Sequence, residues 1–367
     1  MKNTFGNSVS VTIFGESHGP EIGVVLDGLA PGIPVDEDYI AGKLLLRRPA
    51  GKISTARVEP DPFRIVSGVF KGRTTGTPIC ILIPNENTDS RDYSASRFLA
   101  RPGHADYTAF RKYHGYEDYR GGGHFSGRLT AALVAAGAIA QSALEKKEIL
   151  IGTHIAKCAG ISDRQFGNLK DDIQTLAGLR FAVLDKEAAA RMRLAMEEAA
   201  AEGDSVGGIL ETAVTGFPPG VGEPWFDSLE SVLAHALFSI PAVKGVEFGG
   251  GFSLADQRGS RANDCFAMQN GTVGTTTNNN GGINGGISNG MPLLFRCAVK
   301  PTPSIYKEQE TVDFLRSSDQ KLVISGRHDP AIVHRARAVA DSVTALVLCD
   351  LLALRFGTDW IADFPAP

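Results

Sequence analysis

Paired cysteines are missing from this chain. Its five cysteines, Cys80, Cys158, Cys265, Cys297 and Cys349, are odd in number, widely spread and never arranged as CxxC. That pattern excludes a disulfide framework and a zinc-ribbon site, and it implies a reducing, cytoplasmic setting with no bound metal. Long hydrophobic runs are missing too. The start, MKNTFGNSVSVTIFGESHG, lacks the apolar core of a signal peptide. The best candidate for a membrane span, residues 129–144 (LTAALVAAGAIAQSAL), is short, alanine-rich and broken by Thr, Gln and Ser, so it reads as a buried helix. Surplus positive charge is absent: 37 Lys and Arg face 41 Asp and Glu, for a net charge of −4. A general nucleic-acid binder would be basic, so that class is set aside. No Rossmann fingerprint, Walker loop or nucleophile elbow occurs either.

What remains is ample core material, 43% hydrophobic against 21% charged residues over 367 positions. Strand-like runs occur at Ser8–Phe14, Gly23–Leu26, Phe63–Phe70, Pro78–Ile83, Gly208–Val214 and Leu293–Val299, without a regular βαβ rhythm. Helical patterns occupy about 36–47, 127–145, 186–201, 227–238 and 330–355. Asp227 and Glu230 have capping-box spacing, and Asp329-Pro330 reads as a helix start. Gly203 and Gly357 suit positions just past helix ends. No linker divides the chain, and the Asn/Gly-rich stretch 278–290 reads as an ordered loop, so 1–367 is taken as one domain. One echo recurs: VVLDGLAPGIP (24–34) and TAVTGFPPGVG (212–222) align Gly28, Pro31 and Gly32 with Gly216, Pro219 and Gly220. A duplicated α+β half would produce this, as would reuse of a Pro-Gly turn.

Positive charge is concentrated locally. Residues 101–128, RPGHADYTAFRKYHGYEDYRGGGHFSGR, hold four arginines, a lysine, three histidines and a triple glycine, with little to bury. Such a segment suits a small polyanion: glycines admit backbone N–H groups, guanidiniums pair two-pronged with phosphate or carboxylate, and histidine exchanges protons near neutrality. A solvated polar loop is the alternative reading. Other segments offer matching groups. GESHGP (15–20) follows a strand and carries Glu16, Ser17 and His18; LRRP (46–49) with Lys52 and Arg57 forms a second basic patch. KPTPS (300–304) sets an ammonium beside hydroxyls, and GRHDP (326–330) places Arg327, His328 and Asp329 before a long helix, where an anion is favoured.

Taken in order, GESHGP, the double arginine, SGVFKGRTTGTPI (67–79), RPGHADYTAFRKY, the triple-glycine loop, AHALFSIPAVKGVEFGGGF (234–252), GGISNG (285–290), KPTPS and GRHDPAIVHRA resemble the chorismate synthase family over nearly the whole chain. The resemblance implies a single-domain α+β sandwich of antiparallel sheets and helices with an internal pseudo-twofold repeat, assembled as a homotetramer. It implies a 1,4-anti elimination of phosphate from 5-enolpyruvylshikimate 3-phosphate, giving chorismate in the shikimate pathway. The implied cofactor is reduced FMN, with NADPH serving only as reductant where it is used. In the family the flavin lends electron density, C–O cleavage goes first, and the C6 hydrogen then leaves. Neither nucleic acid nor membrane is implied as a partner.

By the same resemblance His18 protonates the leaving phosphate, His104 stabilises the reduced flavin, and Asp329 assists removal of the C6 proton. Ser17 and Ser126 lie between flavin and substrate. Arg47, Arg48, Arg57, Arg128 and Arg327 match substrate-anion positions. His124, Phe125, Ser126, Ala242, Gly285, Lys300, Pro301, Thr302, Pro303, Ser304 and Arg327 match flavin-contacting segments. The chain departs from the family at HFSGRLT (124–130), where many members read RSSARET, and at Pro241, where asparagine is common. His124, Phe125 and Leu129 thus replace Arg, Ser and Glu, and the flavin phosphate would be held differently. Two other readings remain at this point: a different FMN enzyme resembling a flavin reductase, and a non-catalytic anion-binding scaffold.

Overall fold

The structure, a computed structural model, describes residues 2–49, 51–54, 60–86, 97–269, 271–324 and 328–362. Two antiparallel five-stranded sheets face each other across a layer of helices. The first contains β1 (Thr4–Phe5), β2 (Ser10–Gly15), β3 (Glu21–Asp27), β4 (Arg64–Ser67) and β5 (Ile79–Pro84), in the order β1-β2-β3-β5-β4. The second contains β6 (Leu150–Cys158), β7 (Ile161–Ser162), β8 (Gly208–Thr215), β9 (Val243–Phe248) and β10 (Leu293–Val299), in the order β9-β10-β8-β6-β7. The principal helices are α1 (Glu37–Arg47), α2 (Asp106–Tyr113), α3 (Thr130–Lys146), α4 (Leu169–Ala177), α5 (Lys186–Ala201), α6 (Leu229–Phe238) and α7 (Val333–Phe356).

Helices α3 and α7 form the middle layer, each packing on strands of both sheets. α3 is apolar on nearly every side rather than amphipathic, and α7 is buried along most of its length although it carries several charges, as a middle layer requires. Gly127–Lys146 is long and apolar enough to cross a membrane by length and composition, yet its apolar window is 89% buried inside the fold. The two helices approach closely where Gly137 meets Ser342: a Cβ on Gly137 would lie 2.6 Å from Ser342 Cα. Buried charge on α7 is matched locally. Arg337 pairs with Asp341 at 3.0 Å and donates to the Leu176 and Leu179 carbonyls at the end of α4, and Asp350 accepts from the backbone N–H groups of Asn7, Ser8 and Val9.

The sequence echo is a structural repeat. β3 and β8 are the central strands of their sheets, and each runs into the same Pro-Gly turn. Gly28 and Gly216 have φ +85 and +75; Gly32 and Gly220 have +87 and +86. Thr74 Oγ1 donates to Ala30 O at 2.7 Å and accepts from Ile33 N at 2.9 Å. Ser288 Oγ does the same for Pro218 O at 2.6 Å and Val221 N at 3.0 Å. The hydroxyl residue then leads through a second Pro into β5 in one half and β10 in the other. The α+β sandwich with an internal repeat therefore stands.

Most expected elements form within two or three residues of their sequence bounds, and α5 and β10 match them. Two helix starts differ. α6 is capped by Ser228, whose Oγ accepts from Ser231 N at 3.1 Å, not by the Asp227–Glu230 box. α7 begins at Val333 and not at Pro330, because the Pro330 carbonyl accepts from Val206 N at 2.8 Å and holds that residue outside the helix. Asp329 is consequently not an N-cap.

Candidate active site

Loops from both sheets and the ends of three helices enclose a cavity of about 1010 Å³. Thirteen of the expected site residues line it. His18 comes from the turn after β2, Arg47 from the end of α1, His104 from the segment before α2, and His124, Phe125, Ser126 and Arg128 from the glycine loop. Ala242 enters before β9, Lys300, Thr302, Pro303 and Ser304 after β10, and Asp329 before α7. Four do not line it. Ser17 is buried behind His18, Arg48 stands behind the arginine cluster, Pro301 lies within its segment but off the wall, and Gly285 sits in a turn outside the cavity. Arg57 and Arg327 fall outside the described residues. Among the described residues the wall carries eight basic side chains (Lys2, Arg47, Arg97, Arg101, Arg128, Lys244, Lys300, Arg335) against four acidic ones (Asp106, Glu117, Asp118, Asp329). In a protein of net charge −4 this is a local positive field suited to a polyanion.

His18 is held by a tight turn and a glycine. Gly19 N donates to Glu16 O, and Asn85 Nδ2 donates to the carbonyls of Glu16 and Gly19 at 3.0 and 2.8 Å. Ser17 Oγ directs its hydrogen at the Arg120 and Gly121 carbonyls, 3.2 and 3.0 Å away. Its oxygen is therefore the acceptor in the 3.2 Å contact with His18 Nδ1. Nδ1 carries the hydrogen in this arrangement, which assigns proton exchange with a ligand to Nε2. The loop beneath, Gly121 to Gly123, runs through three left-handed conformations, φ +58, +83 and +52. Asp118, which closes the loop by a bidentate pair with Arg120 at 2.8 and 2.7 Å, is held below the usual carboxylate range by that pair, with His18 adding to the effect.

His104 is fixed as a neutral ring. Nδ1 lies 3.1 Å from the Pro102 carbonyl, which can only accept, so Nδ1 is the protonated nitrogen. Nε2 then accepts from the Ser304 hydroxyl at 2.7 Å. Burial, with the nearby charges of Arg101 and Lys300, pushes the His104 pKa down to about 4, although Asp106 and the Pro102 carbonyl oppose the shift. Lys300 ties this corner to both neighbouring segments: Nζ donates to Gly103 O at 2.7 Å and its backbone N–H to Ala242 O at 2.9 Å. Ala242 has φ +74, a conformation that L-residues avoid at a cost of roughly 1–2 kcal/mol. Thr302 Oγ1 is buried without a hydrogen-bond partner among the described residues. A ligand carrying polar edges would satisfy it.

Asp329 pairs with Arg335, Nη1 to Oδ2 at 2.5 Å, and Arg335 Nε donates to the Arg47 carbonyl at 2.8 Å. One guanidinium thus joins the start of α7 to the end of α1. Next to it His334 is fully buried, its Nε2 2.7 Å from Ser54 Oγ, and burial pushes its pKa down to about 4. His124 Nδ1 donates to Gly15 O at 2.8 Å, so the residue replacing the family arginine braces the His18 turn. Phe125 packs edge-on against Tyr113.

Three site residues escaped the sequence reading. Asn85 bonds the His18 turn and also accepts from Arg128 Nε at 2.9 Å. Arg335 orients Asp329. Asp61 lies under Arg47 and Arg128, accepting from Arg47 Nη2 at 3.2 Å and from Arg128 Nη1. Asn85 follows the last residue of an apolar strand and carries no motif, so no signal marked it. Asp61, flanked by Pro60 and Pro62 a few residues beyond a basic patch, did carry a cue.

Comparison with known proteins comes to the same point. The family model described as chorismate synthase matches residues 9–353. A chorismate synthase of Pyrococcus abyssi is 47% identical over 350 residues, covering 95% of this chain and 97% of the relative. One from Dehalococcoides mccartyi is 47% identical over 358 residues, covering 97% and 98%. A crystal structure of chorismate synthase superposes with a TM-score of 0.76 at 28% identity, covering 96% of this chain and 94% of that one.

Proposed function

The chain belongs to the chorismate synthase family, and we propose that it eliminates phosphate from 5-enolpyruvylshikimate 3-phosphate in the cavity described above. The observation that carries this reading is the convergence of His18, His104 and Asp329 on one positively lined cavity from segments some three hundred residues apart in sequence. The cavity is at the upper end of the range for small-molecule sites, roughly 300–1,000 Å³, which suits a flavin and a substrate bound together. No observation favours a different flavin-dependent reaction or a non-catalytic scaffold.

The residues fit a flavin mononucleotide. Lys300, Thr302, Ser304 and the Ala242 segment would hold it, with the unsatisfied Thr302 hydroxyl as one contact. When bound and reduced, FMN would supply the electron density that the loss of phosphate from an unactivated ring requires. Arg47 and Arg128, oriented by their contacts inside the fold, turn their remaining N–H donors to the substrate's anionic groups. His18, with its Nδ1 hydrogen on Ser17, gives a proton from Nε2 to the departing phosphate, a role worth about 10²–10⁴-fold in rate. His104 is neutral before ligands enter and gains a proton only when negative charge arrives beside it, so its charge is tied to occupancy of the site. Asp329, oriented by Arg335, assists removal of the C6 proton. NADPH, where it is used, serves only as reductant, the working form is a homotetramer, and the setting is cytoplasmic.

An anaerobic assay tests the reading. Purified protein is mixed with chemically reduced FMN and 5-enolpyruvylshikimate 3-phosphate, and phosphate and chorismate are followed together. Equal amounts of both are expected; folded, flavin-saturated protein that releases neither would refute it.

A further inference from the structure

Asp61 has no place in the chemistry just described, yet it is the most tightly enclosed charge beside it. Its carboxylate is fully buried. The Oδ1 atom accepts from Arg128 Nη1, Oδ2 accepts from Arg47 Nη2 at 3.2 Å, and Arg48 Nε stands 3.9 Å from the same oxygen. The backbone enforces this position. Asp61 lies between two prolines at φ +47, and a residue preceding proline is barred from the ordinary helical region while aspartate tolerates the left-handed one. Such a conformation, held against its cost, is a common sign of a built site. Arg128 is gripped on its other edges as well, by Asn85 Oδ1 at 2.9 Å and Pro84 O at 3.0 Å.

We propose that Asp61 is a positioning residue for the substrate's anions. It spaces and orients Arg47 and Arg128, and it limits the positive charge of their wall so that a large polyanion is preferred over small inorganic ones. Without Asp61 the neighbouring guanidiniums would repel one another more strongly and would draw a small anion into their midst. The buried carboxylate lowers the positive charge that Arg47 and Arg128 present and fills the spot a free phosphate would take. The wall as a whole, with eight basic side chains against four acidic ones among the described residues, still attracts a substrate bearing several anionic groups. The inference rests on the reading that Arg47 and Arg128 bind substrate.

The test compares Asp61→Asn, Asp61→Glu and Arg128→Gln with the unaltered protein in anaerobic turnover with reduced FMN, using inorganic phosphate as a competitive inhibitor. Asp61→Asn should lower the phosphate inhibition constant about tenfold and raise KM for substrate about tenfold, with kcat changed less. Asp61→Glu keeps the charge and should leave phosphate inhibition within about threefold of its original value. A merely structural role would reduce the active fraction and leave the ratio of the two constants unchanged in Asp61→Asn; that result overturns the proposal. Should Asp61→Asn fail to fold, Asp61→Glu decides: unchanged phosphate inhibition supports the idea, and a tenfold tightening defeats it. Arg128→Gln with an unchanged KM would refute the underlying anion site rather than the part given to Asp61.

Discussion

A β-carbon placed on Gly121 would fall 2.0 Å from Cε1 and 2.1 Å from Nδ1 of His18. The glycine loop therefore presses directly on the imidazole that we propose delivers the proton. With φ +58 at this position, alanine adds backbone strain of about 1 kcal/mol, but the larger effect is displacement of the ring. Gly121→Ala should lower kcat/KM roughly 10²-fold while the unfolding midpoint drops by only a few degrees. Anaerobic kinetics and thermal denaturation on the same preparation check both halves.

The 2.7 Å contact between His104 Nε2 and Ser304 Oγ would make the histidine a reporter of the proposed FMN binding. Its titration in the ligand-free protein should lie near pH 4, well below the ordinary 6.5. FMN brings phosphate charge and an electron-rich ring, so the midpoint should rise on binding. NMR titration of the ring nitrogens, with and without FMN, measures it. An unchanged midpoint would place the cofactor elsewhere.

His104 and His334 also make the fold less stable in mild acid. Both have folded pKa values pushed down to about 4 from 6.5, so between those pH values the unfolded chain binds more protons than the native one. Their contribution is complete above pH 6.5 and is lost as pH falls toward 4. His154 acts with the opposite sign. Burial would lower its pKa, but hydrogen bonds to Asp163 at 2.7 Å and Glu211 at 3.0 Å raise it on balance. Its stabilisation is complete below pH 6.5 and fades as pH rises through its folded value. Urea unfolding at pH 5 should give a lower midpoint than at pH 7, and His104→Gln should reduce that difference.

The tight helix contact at Gly137 supports a stability prediction. Gly137→Val would drive methyl groups into the Ser342 backbone, which a flexible side chain cannot relieve. A loss of about 3 kcal/mol or more is expected, since both helices are central to the core. Denaturant unfolding measures it, and a loss under 1 kcal/mol would show that α3 and α7 can slide apart.

Much of this was readable from sequence, for identifiable reasons. β10 alternates buried and part-exposed residues over Leu293–Val299, and α5 begins with an Asp185 cap, so local pattern and tertiary packing agreed. β6 was missed because LIGTHIAKC carries Gly, His and Lys in a strand whose His154 is buried only through its two carboxylates. α2 was hidden inside a segment whose charge spoke for a loop, although Asp106 and the basic last turn do favour a helix. The His18, His104 and Asp329 positions were marked by motif. Their supports were not: Asn85 and Asp61 meet Arg128 from distant parts of the chain, and Arg335, near Asp329 in sequence, is fixed by the remote Arg47 carbonyl, which spacing does not reveal.

One cavity is proposed to hold cofactor and substrate together, between the Lys300–Ser304 wall and the Arg47–Arg128 wall. A crystal structure of the protein with oxidised FMN and 5-enolpyruvylshikimate 3-phosphate tests it most directly. Both molecules are expected in that cavity, with the substrate phosphate within hydrogen-bond reach of His18 Nε2 and the flavin beside Ser304 and Thr302. Either ligand bound at another surface, with this cavity left to solvent, would contradict it.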